Sequence, residues 1–234
     1  MRLFLLFSFT TCAVFAQASF EVATVRPTNL SEPGVSTRIP LAPTQQFRME
    51  GYTLKGLVLF AYELEDFQLS GGPGWFDKDR FDIDGKVADG ANTGITANRD
   101  RLRALLAERF QLSAHKETKQ ATILTLTVNK GGPKLEAAGN DGGVSWGPGV
   151  IRDKNGQINS LARILSQQLS QLVVDRTGLE GHYDYELKWS PDPARSDGPS
   201  VFTALQEQLG LKLESEKGPL EVLVVDRAEK PTDN

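Results

Sequence analysis

Four aspartates crowd one stretch, Asp77, Asp79, Asp82 and Asp84, and the last two stand in Arg80-Phe-Asp-Ile-Asp. The alternation of apolar and polar residues predicts a half-buried strand, on which Asp82 and Asp84 share one face. Two carboxylates so placed could hold Ca²⁺ or serve as the paired acids of a glycoside hydrolase. The plainer account is the solvated side of an amphipathic strand whose other side carries Phe81 and Ile83. Carboxylates are the one plentiful catalytic type, because the chain has two histidines and one cysteine. His182 stands in His182-Tyr183-Asp184, but adjacent strand residues point to opposite faces, which works against cooperation. A hydrolase would therefore draw on Asp82, Asp84 and His182, while the preferred reading assigns no catalytic residue. So few nitrogen and sulfur ligands argue against zinc, and no metal or other cofactor is expected. Ser70 lacks the first glycine of a nucleophile elbow, since Gln68 occupies that position. Gly71-Gly72-Pro73-Gly74 is followed by no Gly-Lys-Ser/Thr and reads as a turn rather than a phosphate loop. Among the tryptophans, Trp146 lies in a glycine-rich stretch and is the candidate exposed aromatic for stacking on a sugar.

These groups need a scaffold, and the composition permits an ordinary one. The chain has 234 residues, 39% hydrophobic and 24% charged, enough for one large domain or two small ones. Lys+Arg number 26 against 30 Asp+Glu, a net charge of -4, which argues against a nucleic-acid partner. Met1-Arg2, the apolar run Leu3–Phe15 and the small-x-small Ala16-Gln17-Ala18 follow the order of a secretory signal peptide. Residues 1–18 are expected to be cleaved before Ser19, with Ala16 and Ala18 read by the peptidase. Cleavage removes Cys12, so the exported chain can form no disulfide and must rest on an apolar core. No transmembrane segment is expected after that removal, and the product is placed in the periplasm or the medium.

The mature chain shows an internal similarity. A shift of 104 residues sets Leu54 on Ile158, Leu57 on Leu161, Gly74 on Gly178, Trp75 on Leu179 and Phe81 on Tyr185. A shift of 99 sets Leu106 on Leu205, Phe110 on Leu209 and Glu117 on Glu216. Trp75, matched to a leucine, is expected in a core. Helical spacing predicts helices from Leu54 to Leu64 and from Ile158 to Leu169, and further helices over Arg99–Phe110 and Ser200–Leu209. Ser200 is a candidate cap, Asp100 stands near the start of the earlier helix, and Gly210 is a natural stop. Each half is expected to close in a hairpin, Gln111–His115 with Thr122–Val128 and Lys212–Glu216 with Glu221–Val225, the latter turning at Lys217-Gly218-Pro219.

The predicted class is α+β: two tandem strand-helix-strand-strand-helix-strand-strand repeats, with helices packed on small mixed sheets. After the signal peptide come a strand and extended lead-in over 19–45, a first repeat over 46–136, a glycine-rich linker over 137–149 and a second repeat over 150–234. Pro191–Pro199 is expected to be a polar loop.

Phe20-Glu-Val-Ala-Thr-Val-Arg-Pro, Leu69-Ser-Gly-Gly-Pro-Gly-Trp, Leu105-Leu-Ala-Glu-Arg-Phe and Asp175-Arg-Thr-Gly-Leu carry a family resemblance. With Phe202–Leu211 and Glu221–Asp226, they make the mature chain resemble an uncharacterised, soil-associated family of exported bacterial proteins. That family has no established activity, so the resemblance implies no site residue. Each half is also similar, through helix–strand–strand–helix order and endings such as Ala204–Leu213, to the short N-terminal domain of secretins and TonB-dependent receptors. That similarity implies periplasmic docking rather than catalysis. The expectation is an exported, non-enzymatic binding or interaction module of the envelope, engaging an envelope protein or a small ligand. A glycan hydrolase or a carbohydrate-binding protein is the alternative.

Overall fold

The computed structural model describes residues 19–29, 44–139, 142–192 and 198–232. Ala16 and Ala18, most of the lead-in and the centre of the Pro191–Pro199 loop lie outside these residues. The class is α+β, as expected, and the chain forms two compact units. Of the described residues, unit one takes those up to Glu63, those within Gly72–Ser113 and those from Arg227 on; unit two takes those within Leu64–Gly71 and Ala114–Asp226. Both are discontinuous in sequence, so they differ from the contiguous blocks read from the sequence.

Unit one begins with β1 (Val22–Pro27), β2 (Gln46–Thr53) and helix α1 (Leu54–Tyr62). Thr53 starts α1 by accepting a 3.1 Å bond from the Gly56 amide, and Leu54, Leu57, Val58 and Ala61 form its buried face. The chain then lends β3 (Leu69–Gly71) to unit two and returns with β4 (Arg80–Lys86) and helix α2 (Ile95–Arg109). The sheet order is β1-β4-β2, antiparallel throughout, with the predicted N-terminal strand at one edge. Inside, Phe81 meets Phe110 edge to face at 5.0 Å between centroids, and Trp75 meets Phe81 at 6.1 Å. Trp75 itself is half-buried. Helix α2 starts before the expected Arg99: Gly94 is its N-cap, and the Asn98 side chain turns back to the Thr93 carbonyl at 3.0 Å. Asp100 therefore lies within the helix, paired with Arg103 at 2.9 Å.

Unit two continues with β5 (Ser113–Val128), β6 (Glu136–Ala137), β7 (Gly143–Gly147), β8 (Val150–Gly156) and helix α3 (Ile158–Leu169). Then follow β9 (Val173–Asp175), β10 (Tyr183–Lys188), helix α4 (Val201–Ala204) and β11 (Leu211–Arg227). The Ser200 hydroxyl caps α4 by accepting from the Thr203 amide, a π-helical turn at Leu205–Leu209 extends it, and Gly210 at φ 64° ends it. The stretch expected as a linker, 137–149, thus contributes β7 and the second residue of β6. One sheet runs β6-β10-β8-β7 and the other β3-β11-β5-β9. Ile151, Leu161, Ile164, Leu165, Leu187 and Leu205 pack in one apolar core.

The expected terminal hairpins are replaced by two long strands. Lys116–Glu221, Lys217–Thr122 and Thr125–Glu214 contacts run in opposite senses along β5 and β11, so the pair is antiparallel. Gly218 does not turn the chain: its φ is not positive, and a Cβ there would lie 2.4 Å from Ile123 Cδ1. It is glycine because Ile123 lies over it, not because the backbone reverses. Pro219 is tolerated because β3 pairs with β11 only at Leu223–Val225, leaving no ladder bond on that side for a missing N–H. The outer strands add in parallel, Leu69 opposite Leu223 and Val173 opposite Leu124.

Candidate functional site

Asp82 and Asp84 project from β4, the central strand of the unit-one sheet, and both carboxylates are engaged. Asp82 Oδ1 accepts from Thr28 Oγ1 at 2.8 Å and from the Gly51 amide at 2.9 Å. Gly51, at φ 71°, belongs to the irregularity between Met49 and Tyr52, so Asp82 satisfies an amide that the ladder leaves out. Asp84 accepts from Arg48 Nη2 at 2.6 Å and Nε at 3.1 Å, and also from the Gln46 side-chain amide. This bond and the adjacent charge raise the Arg48 guanidinium above its ordinary value. As arranged, the pair ties β4 to the strands on either side.

His182 is exposed and belongs to unit two, so the structure does not assemble it with Asp82 and Asp84 into one site within a unit. Its neighbours point elsewhere. The Tyr183 hydroxyl donates to the Glu180 carbonyl at 2.8 Å, and Asp184 accepts from the Asn155 amide at 2.9 Å and Lys154 Nζ at 3.1 Å. The Asn155 amide, then Lys154, hold Asp184 below the usual carboxylate range.

Trp146 lies on β7, the edge of its sheet, and is 45% exposed; Val144, two residues earlier on the same face, is 43% exposed. Their partners on β8 are Ile151 and Asp153, both buried. Directly paired residues share a face, so Trp146 and Val144 extend the core side of the sheet beyond its covered part.

Two constellations escaped the sequence reading. Asp153 is 5% exposed on the apolar side of β8, where it accepts from the Tyr185 hydroxyl at 3.2 Å. Burial pushes the Asp153 carboxyl up, and burial first, then the Asp153 charge, pushes the Tyr185 phenol up. Gly156 makes room for this carboxylate, since a Cβ there would stand 2.2 Å from Asp153 Cγ. The signal was available: in Ile151-Arg-Asp153, the aspartate falls on the isoleucine's face. On β5, His115 is held at both nitrogens, by Asp226 at 2.9 Å on Nδ1 and by Glu117 at 3.1 Å on Nε2. These bonds raise the imidazole pKa, Asp226 first. An imidazole occupied on both sides by carboxylates is suited to keeping a proton rather than passing one on. Among the described residues no group of three or more His, Cys, Asp or Glu is placed to hold a metal ion.

The family model named Protein of unknown function (DUF3738) matches residues 55–228. The chain belongs to that family. No curated protein and no solved structure matches it. The DUF3738 match runs from α1 into β11, and so spans Asp82, Asp84, Trp146, Asp153 and His182.

Proposed function

We propose that this DUF3738 chain is an exported, non-enzymatic binding module of the bacterial envelope, and that its contact surface in unit two is the open edge at β7. The observation that carries this reading is Val144 and Trp146, exposed together on an edge strand that carries no charged residue. An extended segment of an envelope protein can add to such an edge through main-chain bonds, with Trp146 and Val144 as side-chain anchors. Engagement of Asp82 and Asp84 in binding their own sheet favours binding over hydrolysis as the role of the fold. The positive-apolar-small order of residues 1–18 supports export. No helix among the described residues is long and apolar enough to cross a membrane.

The test sediments purified protein with washed envelope fragments. Binding that is lost in Trp146→Ala and Val144→Lys, while both variants keep the wild-type melting temperature, supports the reading. Failure of the wild type to sediment, or undiminished binding by both variants, overturns it. The exposed indole also favours a second reading, stacking on a sugar ring. In that case soluble envelope oligosaccharides alone quench the Trp146 emission.

A further inference from the structure

The pairing of β7, β8 and β10 fixes which main-chain groups face the open edge. The Trp189 amide donates to the Gly149 carbonyl at 3.0 Å, so these two residues form a hydrogen-bonded pair beside β10 and β8. In an antiparallel ladder such pairs alternate with non-hydrogen-bonded ones, which makes Leu187–Ile151 the next bonded pair. Val150 and Arg152 therefore turn their main-chain groups the other way, toward Gly147 and Ser145 on β7. The two-residue loop Pro148-Gly149 agrees, because such loops close on a bonded pair, here Gly147 with Val150. Val144 and Trp146 are left with their amides and carbonyls aimed at the open side.

The residue character of β7 reads the same in both directions: Gly143, Val144, Ser145, Trp146, Gly147. Rotated about a two-fold axis through Ser145, a second copy sets its Trp146 opposite Val144 and its Val144 opposite Trp146. These are the residues with outward groups, so each pair exchanges both of its main-chain bonds. Paired residues share a face, and an aromatic beside a β-branched side chain is a favoured cross-strand combination. Sliding the copy by two residues, the smallest step that keeps outward groups matched, sets Trp146 against Gly142 or Val144 against Pro148. Charge does not oppose the contact. β7 carries none, and Arg152 and Lys154 on β8 are held by Glu186 and Asp184. Pairing uses up β7 in both copies and leaves the two-residue β6 at the far edges, so the assembly closes at two chains.

We propose that a second copy of this chain occupies the β7 edge, in a two-fold dimer centred on Ser145 that joins the two β6-β10-β8-β7 sheets. The inference rests on β7 as the contact surface of unit two, and it names what fills that edge when no envelope segment does. Copy and segment are then alternatives for one edge. A single short strand pair is a small interface, so the dimer is weak and forms at high concentration.

The test follows the mass of the full chain by sedimentation equilibrium at low ionic strength, from about 1 to 500 µM. Wild type is expected to pass from monomer to dimer and no further. Ser145→Lys sets two ammonium groups face to face on the axis, and Ser145→Glu two carboxylates. Each is expected to weaken the dimer by about tenfold or more. An equimolar mixture of the two is expected to restore it, because Lys then faces Glu. Ser145 is exposed, so both variants are expected to keep the wild-type melting temperature. A monomer throughout, growth beyond the dimer, single variants that dimerise like wild type, or a mixture no tighter than its components overturns the proposal. Sedimentation with envelope fragments separates the two readings. Trp146-dependent sedimentation of a chain that stays monomeric removes the dimer alone, and a dimer that ignores the fragments removes the envelope partner alone.

Discussion

Strands β1 and β2 flank the unit-one sheet with Arg26, Pro27, Arg48 and Glu50, whereas β7 closes one side of a unit-two sheet with Gly143–Gly147, which has no charged residue. Charge and proline at an edge discourage pairing with another chain. The first sheet carries that protection, while the second shows Val144 and Trp146 where a guarded edge would place a lysine. The interiors differ as well. β2 buries Phe47 and Met49 completely, while β8 buries Ile151 beside Asp153, which must be answered by Tyr185. Unit one is thus the conventional sheet, and unit two combines a polar pair inside with an unguarded edge outside.

The largest expected effect tests whether the edge is as dispensable for stability as its exposure implies. Phe110→Ala, which removes the fully buried ring of the unit-one aromatic cluster, should cost about 3–5 kcal/mol in urea unfolding. Trp146→Ala should stay within about 0.5 kcal/mol of wild type. A comparable loss at Trp146 would mean that the indole is a structural element and not a contact surface.

Next comes the polar interior. Tyr185→Phe leaves the Asp153 carboxylate without its phenol and should cost about 1–3 kcal/mol. Adding Asp153→Leu should recover much of that loss, because the unanswered group is then gone. If the double variant is less stable than Tyr185→Phe alone, Asp153 is held by more than Tyr185.

The pH dependence is smaller and has a defined sign. The Asp153 carboxyl is raised above its ordinary 3.8, so its neutral form is favoured in the folded state. Its contribution is fully present below 3.8 and is lost as pH climbs through the raised value, at about 1.4 kcal/mol per unit of separation. Stability measured from below 3.8 upward should therefore fall in wild type relative to Asp153→Asn. Parallel curves would remove the claim that this carboxyl is desolvated.

His115 gives the smallest effect. Its imidazole should titrate above 6.5 by NMR, with the midpoint brought down in Asp226→Asn. The stability this pairing adds is present below 6.5 and lost as pH rises through the raised value. An unchanged midpoint in Asp226→Asn would mean that the carboxylate does not hold the ring proton in solution.

Much of the scaffold was readable from periodicity. The buried faces of α1 and α3 and the first five residues of the strand at Arg80–Lys86 follow from residue spacing, and the stop at Gly210 from residue type. The long pairing of β5 with β11 was not, because Lys217-Gly218-Pro219 has turn composition and only the neighbouring Ile123 explains the glycine. The exchange of β3 into unit two was also hidden, since parallel pairing of three-residue strands leaves no local signature. Trp146 could be named as a candidate, but its place on a paired edge strand could not, because glycines on both sides gave it the look of a linker. The burial of Arg101 gave no signal at all. On α2, with Arg99, Arg103 and Arg109 beside it, an arginine reads as surface until the packing shows that it is enclosed.

The central claim, that the unguarded edge of unit two meets a partner while the guarded edges of unit one do not, is tested most directly by photo-crosslinking in the intact cell. A photoreactive residue replaces Ser145 on β7 in one variant and Arg26 on β1 in another. The account predicts a discrete adduct from position 145, abolished by Trp146→Ala, and none from position 26. Equal adducts from both positions, or none from 145, would contradict it.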